Sequence, residues 1–468
     1  MKTKKIIFGI IMFILGITVA YGADLILGEE VSFSNGATNL KANNVQDAIE
    51  EIYNKTIDNS SCKNVSAPKL GEGLVPVTIE NDGTVKYADT SKSWYNYCDK
   101  IWANAVILED NASYNVGDII QESDIQSYFV WIPKYKYKLW NVDVAVENAH
   151  EIEIVFDETD TTDLEGISCK TPMTSGGSGN CNNGEYMTHP AFISMNTNGF
   201  WVGKYETGYK GATSVAAAQV NANDTNKVII KPNVYSWRNI TVYNSFLNSY
   251  NYKRNLDSHM MKNTEWGAVA YLSHSKYGIN KKININNNSS FKTGYSALPS
   301  TNQQVFQGTY GDGSAFNNVY NTKIGYKSST TENISGVYDT SGGTYEYVSS
   351  YISGKLGASG FNTTTIANFD SKYFDIYNSS SAISTYQYKI LGDATGEMGP
   401  FASYVDGDNY SRNHNSWYND NSSFVHSSDP WFSRGGNYYN GILASQFNFD
   451  RHTGENSTKY TFRIVLTP

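Results

Sequence analysis

The amino-acid sequence predicts an α+β fold with long loops, preceded by a small β-rich module and an N-terminal helix. Three observations carry that expectation. Short apolar runs of period two are closed by turn residues, two segments repeat at helical spacing, and Asn/Ser/Gly-rich stretches separate them. At 468 residues the chain exceeds one ordinary core, so two or more domains are expected.

The first 22 residues hold three lysines, an apolar stretch from Ile6 to Val19, and small residues at Ala20 and Gly22. That pattern predicts an export signal, with an uncleaved N-terminal anchor as the alternative. Residues 23–70 are expected to form a helical stalk. Within it Val45, Ala48, Ile49, Ile52 and Tyr53 fall at helical spacing behind Asn44 as a cap. Residues 71–125 then predict a separate β-rich module. LVPVTI and TVKYAD flank the turn Asn81–Asp82–Gly83, a hairpin signal.

From residue 126 onward a second, larger domain is expected. SYFVWIPKYKYKLWN alternates strongly and predicts one long strand or a strand pair, and GFWVGKYETG predicts another strand. MMKNTEWGAVAYLSHSKYG predicts a helix with Trp266, Val269, Ala270 and Ser273 on one face and Gly278 as its stop. Stretches such as Lys281 to Thr330 read as loop, and loops of that length are functional or disordered.

Composition narrows the partners. A net charge of −9 and a pI near 5.4 argue against nucleic acid, whose binders carry clustered positive charge. Four cysteines, Cys62, Cys98, Cys169 and Cys181, fit an exported chain, the last two bracketing a Gly/Ser-rich loop. Spacing alone leaves the pairing open.

Five stretches in order, VWIPKYKYKL, GFWVGKYETG, MMKNTEWGAVAYL, SGVYDTSGGTYEYV and the closing RGG…FRIVL, resemble the formylglycine-generating-enzyme (sulfatase-modifying-factor) domain. That resemblance implies a C-type lectin-like fold over roughly Ser127 to Pro468. The last stretch is similar to the variable proteins of diversity-generating retroelements and to exported Firmicutes proteins that share this ending. In them a C-terminal frame of Trp, Arg, Gly and Phe separates mutable surface positions. The matching frame here is Trp431, Arg434, Gly435, Gly436, Gly441, Ala444, Phe447, Phe449, Gly454, Phe462, Arg463 and Val465, with Ser445 where glycine is usual.

The residue types suit such a frame. Gly435 and Gly436 permit backbone angles closed to other residues, Phe447 and Phe449 are expected on one strand face, and Arg434 and Arg463 are expected to fork onto carboxylates or carbonyls. Between them lie the expected ligand contacts: Asn437, Tyr438, Tyr439, Asn440, Ile442, Leu443, Gln446, Asp450, Arg451, His452, Glu455, Asn456, Lys459 and Tyr460. Tyrosine supplies contact area at small entropic cost and Asn supplies adaptable hydrogen bonds, as in antibody loops.

No catalytic residue is expected. The oxidase of the resembling family binds copper through a C-terminal cysteine pair, and no cysteine follows Cys181 here. The seven histidines lack metal-type spacing, and His259, Glu206 and Glu346 read as buried structural groups. No cofactor is expected, although turns at Asp406–Asn409 and Asp312 hold oxygen ligands of the kind calcium takes. The expected function is an exported protein that binds a protein or carbohydrate ligand on another surface, touching membrane only through an uncleaved N-terminus. A structural surface component and an enzyme of unrecognised chemistry are the alternatives.

Overall fold

The architecture is α+β with sheets dominating. A computed structural model describes residues 44–48, 64–142, 148–156, 181–296, 318–377, 390–398 and 417–468. The chain divides into two compact units, Met1–Lys63 and Asn64–Pro468. In the first, residues 45–48 are helical, and the Asn44 side chain accepts from the Asp47 N–H at 2.7 Å. That is the expected N-cap. The expected export signal, the rest of the expected stalk helix, Cys62, Cys169 and both calcium-type turns lie outside the described residues.

The second unit is built on an eight-stranded antiparallel sheet. Its order is His259–Met260, Ile464–Leu466, Gly199–Gly203, Ile125–Pro133, Asn104–Leu108, Val75–Ile79, Val85–Tyr87 and Ile119–Ile120. The hairpin around Asn81–Gly83 forms as expected, with Val77 opposite Tyr87. The separate module expected at 71–125 does not. Asn104–Leu108 pairs along Ile125–Pro133, so the β-rich segment supplies half of the main sheet. Residues 66–69, expected in the stalk, also pack here: the Trp131 and Trp201 indoles donate to the Ser66 and Lys69 carbonyls at 3.0 and 2.8 Å.

Ile125–Pro133 and Tyr135–Lys138 settle the strand-pair expectation by joining different sheets, the second one pairing with Ile154–Phe156 and Tyr186–Thr188. The Asn263–Ser273 helix forms where expected, started by the Lys262 N–H donating to the Glu265 carboxylate at 2.8 Å. Its apolar face is not a stripe, however. Every residue of it is buried, because sheet and loop segments surround it, and its small Gly267 and Ala positions let them close in. A Cβ on Gly267 would lie 1.8 Å from the Gly392 carbonyl oxygen. Cys98 and Cys181 are both disulfide-bonded.

A second, mixed sheet carries the candidate site. Tyr345–Ile352 is its centre, antiparallel to Trp431–Arg434, which in turn pairs with Phe449–His452. Two short strands run parallel to the two ends of Tyr345–Ile352: Asp375–Tyr377 and Tyr460–Phe462. One residue after Tyr460–Phe462 the chain enters the eight-stranded sheet as Ile464–Leu466. Arg463 is that one residue. Its guanidinium grips both Glu346 carboxylate oxygens, the Gly203 carbonyl at 2.8 Å and the Tyr338 carbonyl at 3.1 Å, joining the two sheets.

Candidate binding surface

The frame residues are buried, as a load-carrying role requires. Trp431, Arg434, Gly435, Gly436, Ala444, Phe447, Phe449, Gly454, Phe462, Arg463 and Val465 are all inside. Gly435 and Gly436 take φ of +82° and +71°, which other residues rarely adopt. Arg434 forks onto the Ala394 and Gln446 carbonyls at 3.0 and 3.3 Å. Phe449 sits in a strand, but Phe447 lies in the turn before it, packed on Trp417 and His274 rather than sharing a strand face. Ser445, the departure from glycine, donates to the buried Asp420 carboxylate and accepts from the Phe447 N–H.

The residues between frame positions fall into three groups. Tyr439, Glu455, Asn456 and Lys459 are exposed; Tyr438, Asn440, Leu443, Asp450, Arg451 and His452 are half-buried. The Ile442 side chain lies outside the described residues. Asn437, Gln446 and Tyr460 are buried, against the expectation of outward contacts. Asn437 closes a local turn, its side-chain oxygen accepting from the Tyr439 N–H at 2.9 Å. Gln446 donates to the Thr340 hydroxyl, and its carbonyl takes the Trp266 indole N–H. Tyr460 stacks against Tyr347 and His452 at 4.5 and 4.4 Å.

Two loops meet. The Tyr438 N–H donates to the Gly343 carbonyl at 2.9 Å, and the Tyr345 N–H donates to the Lys459 carbonyl at 3.0 Å, so both loops flank one stretch of the central strand. Arg238 links them from below: its guanidinium lies 3.6 Å from the Phe291 ring, which Tyr438 touches, and donates to the Thr458 carbonyl. Asn456 reaches the Asn239 side chain at 3.0 Å. Tyr438, Tyr439, Asn440 and the 455–459 loop therefore belong to one neighbourhood. Arg451 does not. It alternates to the other face of its strand and reaches the Phe424 carbonyl and, at 3.9 Å, Asp429. His452 lies against Tyr347, whose hydroxyl is 2.6 Å from Nδ1; burial holds the imidazole below its ordinary value. Phe291 and Arg238 were not among the expected contacts, and nothing local in the sequence marks them.

Under this surface lies an acidic core. Glu206 accepts from the Thr344 N–H at 2.7 Å and from the Ser236 hydroxyl, and among the described residues no cation forms an ion pair with it. Asp339 accepts from the Gly294 N–H at 2.9 Å and the Asn286 amide at 2.8 Å. Burial pushes the Glu206 carboxyl well above its ordinary value, and Asp339 and Glu346 push it further. A carboxyl raised by folding contributes stability that is complete below its unfolded value and is lost as pH rises through the folded one. Glu206→Gln is therefore expected to lose less stability than the parent chain between pH 5 and pH 8, read by denaturant unfolding at both. An equal loss in both proteins would show that Glu206 is ionised throughout.

The expected structural groups are in place: His259 bonds the Asp257 carbonyl and Glu265 at 2.8 Å each, and Glu346 pairs with Arg463. Among the described residues, no group of three or more His, Cys, Asp or Glu side chains is placed to hold a metal ion. Nor is any helix among them long and apolar enough to cross a membrane.

No family model and no curated protein matches the chain. Among solved structures it is similar to a Major Tropism Determinant I1 variant, at 10% identity and a TM-score of 0.26, over 87% of this chain and 97% of that one.

Proposed function

We propose that this chain is an exported, adhesin- or receptor-like binding protein whose C-terminal segment 431–466 is a variable-type display surface on a C-type lectin-like domain. It recognises a protein or glycan on another surface, works at the cell surface or beyond, and performs no catalysis. One observation carries the reading: frame residues from Trp431 to Val465 are buried, while Tyr439, Glu455, Asn456 and Lys459 between them face solvent beside half-buried Tyr438 and Asn440. Fixed support beneath adaptable Tyr and Asn contacts is how antibody loops reconcile a stable fold with a changeable surface. No cofactor is needed for that task, and neither nucleic acid nor membrane is a partner of this surface.

The test is an array of purified glycans and proteins probed with the full chain. Retention of an array component is expected, and Tyr438→Ala/Tyr439→Ala is expected to weaken it by about tenfold or more, as aromatic anchors do. The melting temperature should stay within a few degrees of the parent, since Tyr439 is 44% exposed. Binding untouched by that double substitution would move the site elsewhere. Self-association surviving it, with no array component retained, would favour a structural surface component instead.

A further inference from the structure

Phe291 sits in a backbone region that disfavours it. Its φ is +53°, the left-handed region that bulky side chains avoid and that Gly or Asn fills at less cost. Surrounding structure holds it there. The Phe291 N–H donates to the Asn288 carbonyl at 2.8 Å, and its own carbonyl accepts from the Ser236 N–H at 3.0 Å. Ser236 is fastened in turn to the buried Glu206. A ring kept at such a position, where glycine would relieve the backbone, points to a task for the ring itself.

The contacts show what the task is. One side of the ring meets the Arg238 guanidinium at 3.6 Å, a cation–π stack. The Tyr438 ring meets it edge-on, with centroids 4.9 Å apart and planes at 84°. Tyr438 in turn holds the exposed Tyr439 at 6.3 Å. The turn that carries Tyr438 is closed by Asn437 and Asn440 and tied to the Gly343 carbonyl through the Tyr438 N–H, and Phe291 adds an aromatic support from outside the segment.

We infer that Phe291, stacked on Arg238, is a positioning residue of the binding surface: it fixes Tyr438 before a ligand arrives, so that the surface comprises upstream loops as well as residues 431–466. This rests on the binding role proposed above. Its physical basis is that a contact ordered in advance loses less entropy on association.

The experiment uses the full chain labelled with 3-fluorotyrosine, the Tyr438 resonance being assigned through Tyr438→Phe. Phe291→Gly and Phe291→Asn both remove the ring and accept the left-handed backbone, so at least one folded variant is secured. In each, the Tyr438 resonance is expected to narrow and move toward the free-tyrosine position, and retention of the array component to weaken about tenfold. Phe291→Tyr, which keeps a ring, restores both. A Tyr438 resonance unchanged in the ringless variants overturns the inference. If no array component is retained even by the parent chain, the binding role fails, yet the fluorine signal still decides whether Phe291 orders Tyr438.

Discussion

Replacing Arg463 with methionine is expected to destabilise the second unit by about 3–5 kcal/mol, the usual cost of stripping one partner from a buried ion pair. Its side chain is fully enclosed beside Glu346, which is itself shut off from solvent. Two further acceptors, the Gly203 and Tyr338 carbonyls, lose their donor at once. Lysine should rescue little, because one ammonium cannot copy a planar fork that reaches a carboxylate and two carbonyls. The double variant Arg463→Met/Glu346→Gln should recover part of the loss, since it no longer strands a charge. Thermal unfolding followed by near-ultraviolet circular dichroism reads all three. If Arg463→Met melts with the parent, the two sheets are joined by something other than this guanidinium.

Trp431→Ala is expected to cost a similar amount, about 3–5 kcal/mol, as large-to-small changes at enclosed aromatics do. The indole is stacked on Tyr351 at 4.8 Å and on Phe361 at 5.7 Å, and its N–H donates to the Leu356 carbonyl at 3.0 Å. Gly454 comes so close that a Cβ there would stand 2.7 Å from the Trp431 ring. A void at this point loosens the turn that follows His452 as well as the first strand of the display segment. Binding should therefore fall together with stability, whereas Tyr438→Ala/Tyr439→Ala lowers binding alone. Measuring retention and melting on the same two proteins separates support from contact. Binding that survives Trp431→Ala would mean that the surface does not depend on this frame position.

How far the sequence foretold this depends on the range of each interaction. Spacing within a segment makes the Asn81–Gly83 turn and the helix after Lys262 readable, whereas the buried Gly, Phe and Arg positions of the C-terminal frame are expected from the resemblance of that segment to a known frame. Tyr460 belongs to a short strand that is buried on both faces, Thr461 as well as Phe462, which alternation along the segment does not reveal. Other features had no local signature. A hairpin signal does not say which sheet the hairpin will join, so Val75–Tyr87 gave no sign of extending Ile125–Pro133 through Asn104–Leu108. Ser445 meets Asp420, and Tyr438 meets Phe291, only because distant loops fold together.

The placing of Ile464–Leu466 between Gly199–Gly203 and His259–Met260 has a kinetic consequence. The Arg463 guanidinium and the Gly203 carbonyl it holds are 260 positions apart. A sheet closed by such a distant segment must wait for a large loop to shut, so this unit is expected among slow folders. Until then the neighbouring strands keep unpaired edges, and a nascent chain would depend on chaperones or on prompt release from the ribosome.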